Sequence, residues 1–151
     1  MCILVCIVRK VETMTKVIIT DGGRSKAGFR GEANDCVTRA VAIITERPYR
    51  EVYQELARYE QQVTGVRSAR NGISKKAYKK YLADQGFSWT PTMQVGQGTT
   101  VHLRGDELPL GKLLVSVSRH MVAVIDGVVY DNHDSTRGGT RAVYGYWTKA
   151  S

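Results

Sequence analysis

The chain has 151 residues, enough for one domain with a hydrophobic core of its own. With 42% hydrophobic and 24% charged residues it has the composition of a soluble globular protein, and no apolar run is long enough to span a membrane. Its formal net charge of +8 favours acidic partners, nucleic acid among them, and indicates nothing about the fold.

The cysteines and the amino terminus indicate the expected compartment. Cys2, Cys6 and Cys36 are an odd and sparse set, which favours a reducing, cytoplasmic setting over a disulfide framework. The apolar run CILVCIV is too short for a signal peptide and has its basic residues on the wrong side, so it predicts a strand. Met14 is an alternative natural start, which would make residues 1–13 an N-terminal extension; the sequence leaves both alternatives open.

The next elements are a strand, a loop and a helix. MTKVIIT predicts a short strand, and residues 21–31, with four glycines, predict a loop. A helix then begins, with Asn34 as its expected N-cap and Asp35 in its first turn. Its apolar stripe has the spacing i, i+3, i+4, i+7 and consists of Val37, Ala40, Val41 and Ile44.

Two further helices are followed only by strands. Pro48 opens a helix that extends roughly to Gln61, and another runs from about Ser74 to Asp84. FSWTPTMQ, GKLLVSVSRHMVAVIDGVVYDN and RAVYGYW then have the patterns of strands. Helices followed by strands predict a single α+β domain over residues 14–151, with an antiparallel sheet and the helices on one side of it.

Cys36 lies at the start of the first helix, about 90° from the centre of the apolar stripe at 100° per residue. A thiol in the first turn interacts with the positive end of the helix dipole, and a nearby cation lowers its pKa further. A small core cysteine is the alternative interpretation of this residue. The position therefore makes Cys36 a candidate nucleophile.

A candidate base lies in the predicted hairpin. Asp126-Gly127 between two apolar runs is a strong signal for a two-residue turn. That register places His120 and Asp131 on one face as diagonal neighbours, within about 7–8 Å, and points Asn132 the other way. A three-residue turn or a bulge would make Asn132 the partner instead. A nucleophile, a base and a group that orients the base are the parts of an activated thiol.

The order Cys36, His120, Asp131 resembles that of the papain-like cysteine peptidase superfamily. There a cysteine starts the first main helix, a histidine opens a sheet strand, and Asp or Asn lies on the next strand. HMVAVIDGVVYD is similar to the matching part of compact bacterial and phage members, including the bacteriocin-processing C39 type. NDCVTRA is similar to the nucleophile segment of OTU-type deubiquitinases. The resemblance covers about residues 30–147.

The resemblance implies a papain-like fold and a Cys–His–Asp hydrolase that acts on a protein or peptide without a cofactor; acyl transfer uses the same parts. Papain-like peptidases usually place a glutamine before the cysteine as an oxyanion donor, and GFRGEAND has none. Asn34 or backbone N–H groups at the helix start would donate instead. His133 is a second candidate base beside the proposed site, and Asn132 is a further accessory residue.

The remaining signals concern other partners. We predict no metal site, because Cys2 and Cys6 lack a second ligand pair.

The third helix carries four basic residues, Lys75, Lys76, Lys79 and Lys80, and its i, i+4 spacing places Tyr81 toward the core. We interpret this surface as a solvated helix face or a docking site for an acidic protein. The alternative to an enzyme is a non-enzymatic basic module that binds nucleic acid or a host protein. The sequence does not indicate the oligomeric state.

Overall fold

A six-stranded sheet and three helices make up about half of the residues that a computed structural model describes, which are 15–31, 33–94 and 96–149. The helices are α1 (Cys36–Thr45), α2 (Tyr49–Thr64) and α3 (Lys75–Asp84). The strands are β1 (Val17–Ile19), β2 (Phe87–Pro91), β3 (Met93–Gln94), β4 (Gly98–Thr99), β5 (Lys112–Val117), β6 (His120–Ile125), β7 (Val128–Asp131) and β8 (Val143–Lys149). The predicted strand CILVCIV, with its two cysteines, lies outside the described residues, as does Met14.

The sheet has the strand order β1-β7-β6-β5-β8-β2, and β3 pairs separately with β4. From β7 to β2 the neighbours are antiparallel, but β1 is parallel to β7, with Ile19 opposite Asp131. The predicted α+β class is confirmed, and the expectation of a purely antiparallel sheet is wrong at this edge. The chain passes from β1 to β7 only through a long connection that contains the helices, and such a crossover is what joins parallel strands.

The helices cover one face of the sheet and a loop covers the other. The predicted stripe of α1 is buried, with each side chain at most 6% exposed: Val37, Ala40, Val41 and Ile44. It packs with residues of all three helices against Leu114, Met121 and Ala123 of the sheet. On the opposite face Leu103 and Leu108 from the connection before β5 pack against the strand valines.

The helix ends follow local chemistry with one exception. Ser74 caps α3, because its hydroxyl accepts a hydrogen bond from the Ala77 N–H. Helix α2 continues past the predicted end at Gln61 and stops at Gly65, whose φ of 84° is left-handed. The expectation that Asn34 caps α1 is wrong: Asp35 occupies the N-cap position, and its side chain makes no capping hydrogen bond.

The hairpin of β6 and β7 has the predicted two-residue turn. Asp126 and Gly127 both have positive φ, 50° and 79°, as a type I′ turn requires. Ile125 pairs with Val128, and the register continues without a bulge to Ala123 and its partner on β7. The first residue of β6, His120, and the last residue of β7, Asp131, therefore lie close together at the end of the hairpin opposite the turn.

Candidate active site

Cys36 is the first residue of α1 and is partly buried. Burial by itself would raise the pKa of the thiol. Hydrogen bonding and charge from His120, the backbone N–H of Met121 and the charge of Arg39 together outweigh burial, so the pKa of Cys36 lies below its ordinary value. A lowered pKa is the property that separates a reactive cysteine from an inert one.

His120 lies between the thiol and a carboxylate. Its Nε2 is 2.6 Å from Oδ2 of Asp131, and the two side chains are only 12% and 1% exposed. Burial lowers the pKa of His120, but hydrogen bonds and charges from Asp131 and Cys36 raise it to about 9. With Nε2 bound to Asp131, Nδ1 is the nitrogen left to exchange a proton with the thiol. The structure therefore brings together the three residues that the sequence selected.

Asp131 is held by more than the imidazole. Its Oδ1 accepts hydrogen bonds from Nη2 of Arg39 at 2.9 Å and from the backbone N–H of Asn132 at 2.8 Å. Burial raises the pKa of Asp131, but His120, Ser135 and Arg39 lower it to about 2. The carboxylate is ionised at neutral pH, and both of its oxygens have fixed partners.

A buried polar chain, which the sequence analysis missed, extends from Asp131 to the loop 21–31. Arg39 donates from Nη1 to Asp35 at 2.5 Å as well as to Asp131. Asp35 also accepts from the hydroxyl of Tyr49 at 2.7 Å, and that hydroxyl accepts from Nη1 of Arg24 at 2.9 Å. The i, i+4 spacing of Asp35 and Arg39 was a usable signal for the first link. The longer links had no signal in the sequence.

The proposed oxyanion donor Asn34 is exposed and lines the same cleft as the thiol. Its backbone N–H already donates to the carbonyl of Arg70, so only its side-chain amide is left for a ligand. The first backbone hydrogen bond of α1 runs from Arg39 to Asp35, which leaves the amide of Cys36 at the free end of the helix. Both donors named from the sequence therefore lie near the nucleophile.

The cleft around Cys36 has a volume of about 600 Å³, within the range of sites that bind small molecules or a few peptide residues. Cys36, His120 and Asn34 line it together with apolar and aromatic residues: Val37, Ile73, Tyr78, Met121 and Tyr144. Lys75 and Arg119 contribute positive charge to it. The thiol is thus open to a substrate from this side.

The two accessory residues lie at the rim of the cleft. Asn132 and His133 are exposed, and Nδ1 of His133 is 2.6 Å from Oδ1 of Asn132. The His133 ring lies 5.4 Å from the ring of His120, centroid to centroid. It does not contact Asp131 in the way that His120 does, so the geometry favours His120 over His133 as the base.

His120, Asp131 and His133 also offer three ligand atoms within 4.8 Å of one another, a spacing that a metal ion would accept. The donor set does not suit a cation, because Oδ1 and Oδ2 of Asp131 are bound to Arg39 and His120. An added positive charge would compete with that buried guanidinium for the same carboxylate. The arrangement fits a proton-transfer site better than a metal centre.

The basic helix lies beside the cleft. Its four lysines are exposed. Tyr81 is 0% exposed, as its spacing predicted, and its hydroxyl donates a hydrogen bond to Glu55. Tyr78 is half-buried and lines the cleft. Neither tyrosine offers an open ring on which a base can stack. Among the described helices, none combines the length and apolar character needed to cross a membrane.

No protein-family model, curated protein or solved structure matches the chain. The interpretation of the cleft therefore depends on its own residues and their geometry.

Proposed function

We propose that the protein is a papain-like cysteine hydrolase, a peptidase or isopeptidase that acts on a protein or peptide. The observation that carries the proposal is the buried His120–Asp131 pair, whose histidine lines the same cleft as Cys36 at a helix start and lowers the pKa of its thiol. A helix that presents the nucleophile to a sheet that presents the base also supports the papain-like assignment. The sparse cysteines favour a reducing, cytoplasmic setting.

In the proposed reaction Cys36 attacks the substrate carbonyl as a thiolate, with His120 protonated beside it. The C–N bond breaks as His120 gives its proton to the leaving amine, and a thioester to Cys36 remains. His120 then takes a proton from water, which attacks the thioester and releases the acid. The side chain of Asn34 or the amide of Cys36 stabilises the negative oxygen in both steps. If an amine replaces water in the second step, the same residues catalyse acyl transfer.

Asp131 keeps the ring of His120 oriented and favours its protonated form. Arg39 acts through Asp131 as a positioning residue, because its guanidinium links that carboxylate to Asp35 at the base of the nucleophile helix. A guanidinium whose two Nη atoms bind different carboxylates holds them in a fixed geometry that a lysine cannot reproduce.

The non-enzymatic alternative is favoured by one observation, the exposed lysines of α3 beside the cleft. A basic module would bind an acidic protein or nucleic acid there and would not need a reactive thiol. Thiol reactivity therefore separates the two functions.

The test uses a Cys2→Ser, Cys6→Ser background, so that alkylation reports on Cys36 alone. At about pH 5.5 we expect iodoacetamide to modify Cys36 roughly a hundredfold faster than glutathione, because only a small fraction of an ordinary thiol is ionised there. Cys36→Ala should abolish the labelling and any peptide hydrolysis, and should lower the free energy of unfolding by only about 1 kcal/mol because the thiol is not fully buried. Labelling at the rate of glutathione would contradict the proposed function.

A further inference from the structure

A second cleft, of about 770 Å³, opens directly beside the first. The two clefts are continuous around the start of α1, because they share five lining residues: Ala33, Asn34, Asp35, Arg39 and Asn132. The far side of the second cleft is formed by the loop 21–31 with Asn71. We call it the arginine cleft, because Arg24, Arg30 and Arg39 line it.

The carboxylates among the described lining residues are already occupied. Asp21 accepts hydrogen bonds from the backbone of Gly23 and from the backbone and hydroxyl of Ser25. Asp35 is bound by Arg39 and Tyr49. Neither carboxylate therefore neutralises Arg24 or Arg30 by a direct ion pair.

Arg24 is a buried cation without a carboxylate partner in the described part of the chain. It is only 8% exposed, and its Nε–H has no hydrogen-bond partner there. Its other N–H groups donate hydrogen bonds to the Tyr49 hydroxyl and the Arg30 carbonyl. It also lies over the rings of Phe29 and Tyr49, at 5.4 and 5.8 Å, which supplies part of the missing stabilisation. Burying a charge without a counter-charge is costly, and an anion in the cleft would remove that cost.

The rest of the lining supplies donors for the same anion. Arg30 is exposed, and no carboxylate of the described residues lies within ion-pair distance of its side chain. Asn34, Asn71 and Asn132 add exposed side-chain amides. Two arginines with amide donors suit a carboxylate, which guanidinium groups bind through paired, charge-assisted hydrogen bonds.

We propose that the arginine cleft binds a carboxylate of the protein substrate while Cys36 acts on the same molecule. The inference rests on the proposed function, because the continuity of the clefts means that one ligand can occupy both. The shared chemistry has two sources, an acidic side chain near the scissile bond or the C-terminal carboxylate of a chain. A nucleic acid would satisfy the arginines but offers no acyl bond for the thiol to attack.

The experiment measures alkylation of Cys36 by pools of pentapeptides that carry a chloroacetamide at either end. One pair of pools, with amidated C-termini, differs only by Glu in place of Gln. A second pair of neutral peptides differs only by a free or an amidated C-terminus. We expect the acidic member of one pair to react roughly tenfold faster, the scale of one charge-assisted hydrogen bond. The pair that shows the preference identifies the source of the carboxylate.

Two variants place the effect in the cleft. Arg30→Gln should reduce the preference to within about twofold, and Arg24→Gln should do the same if it folds. Lys26→Gln is the matched control, because it removes one charge from the same loop at an exposed residue that does not line the cleft. It should keep the preference. Each rate is divided by the rate of the same variant with iodoacetamide, so that changes in the thiol itself cancel.

The outcomes separate the two proposals. Fast labelling by iodoacetamide with equal rates for both members of each pair would overturn the arginine cleft and leave the proposed function standing. A preference lost equally in Lys26→Gln would also overturn it, because the effect would then come from net charge. Protection of Cys36 by a single-stranded oligonucleotide but not by acidic peptides would assign the cleft to phosphates instead. If iodoacetamide modifies Cys36 no faster than glutathione, the proposed function fails. Fluorescence polarisation of the same peptide pairs then tests separately whether the arginine cleft binds a carboxylate.

Discussion

His120 and His102 each lie beside a carboxylate, and the comparison of the two pairs explains what makes one of them a candidate for catalysis. Nδ1 of His102 is 3.1 Å from Glu107, but the two side chains are 36% and 26% exposed. His120 and Asp131 are closer, at 2.6 Å, and are almost fully buried. Glu107 also contacts the partly exposed Arg104, whereas the partner of Asp131 is the buried Arg39.

The same residue types therefore have different chemical properties in the two places. Water screens an exposed pair and competes for its hydrogen bonds, so such pairs contribute little. In the buried pair the charges act at short range with little screening, and the thiol of Cys36 is part of the same group of charges. Burial and anchoring, rather than the presence of a histidine and an acid, distinguish the candidate site.

The largest expected effect comes from removing the charge of the buried carboxylate. Asp131→Asn should slow alkylation of Cys36 at about pH 7.5 by about 10²-fold or more, because His120 loses the group that keeps its ring protonated at that pH. The exposed pair provides the matched change: Glu107→Gln should leave the rate within about twofold. The rates are measured by intact-protein mass spectrometry. Equal effects of the two substitutions would show that burial does not distinguish the pairs.

The second prediction concerns the pH dependence of stability. The pKa of His120 is raised, so its protonated form stabilises the fold below its ordinary pKa of about 6.5, and this stabilisation is lost as pH rises through about 9. In the wild type, folding also removes a proton from Cys36. Because folding releases that proton, the thiol makes the fold more stable as pH rises, and this offsets part of the loss from His120.

Cys36→Ala removes that compensation. Because the contacts with Asp131 still raise the pKa of His120, the stability of the variant should fall above about pH 6.5, by about 1–2 kcal/mol at pH 8. Urea midpoints at several pH values measure the difference. A further His120→Gln substitution should abolish the fall, and His102→Gln should not. A flat profile in Cys36→Ala would contradict the raised pKa of His120.

The third prediction concerns the anchor of the carboxylate. Arg39→Lys keeps the charge but cannot bridge Asp35 and Asp131, so we expect about tenfold slower alkylation and an acidic limb of the pH–rate profile displaced to higher pH. Arg104→Lys, beside the exposed pair, should change neither quantity. A slower rate without a displaced profile would indicate that Arg39 supports the fold only and does not act through His120.

The smallest effect is expected at the second candidate base. His133→Asn should change the alkylation rate by no more than about threefold, because His133 is exposed and is bound to Asn132 rather than to a buried acid. A loss as large as that of Asp131→Asn would mean that His133, not His120, takes the proton from the thiol.

The parts of this site that were predictable have local causes. The contact of His120 with Asp131 followed from Asp126-Gly127, because a two-residue turn sets the register of a whole hairpin. The position of Cys36 followed from the apolar stripe of its own helix. Even there the prediction of Asn34 as the N-cap was wrong: Asp35 occupies that position, and Arg39, four residues along the helix, and Tyr49 bind its carboxylate.

The parts that were missed depend on distant contacts. The parallel pairing of β1 with β7 joins two segments that are far apart in the chain, and no sequence pattern links them. The clustering of Arg24 with Tyr49 and Asp35 brings a glycine-rich loop against two helices, and nothing in DGGRSKAGFRG predicts which of its charges becomes buried. Periodicity and turn chemistry are local, whereas such contacts are decided by the packing of the whole domain.

The ion pair of Arg39 and Asp131 joins residues that are 92 positions apart in the chain. During synthesis on the ribosome Cys36 emerges long before the strand that carries its base, and closing so long a loop is slow compared with forming a single helix. A nascent or unfolded chain therefore carries a thiol of ordinary acidity. The lowered pKa arises only in the completed domain, which protects incomplete chains from unwanted alkylation and oxidation while they are still being made.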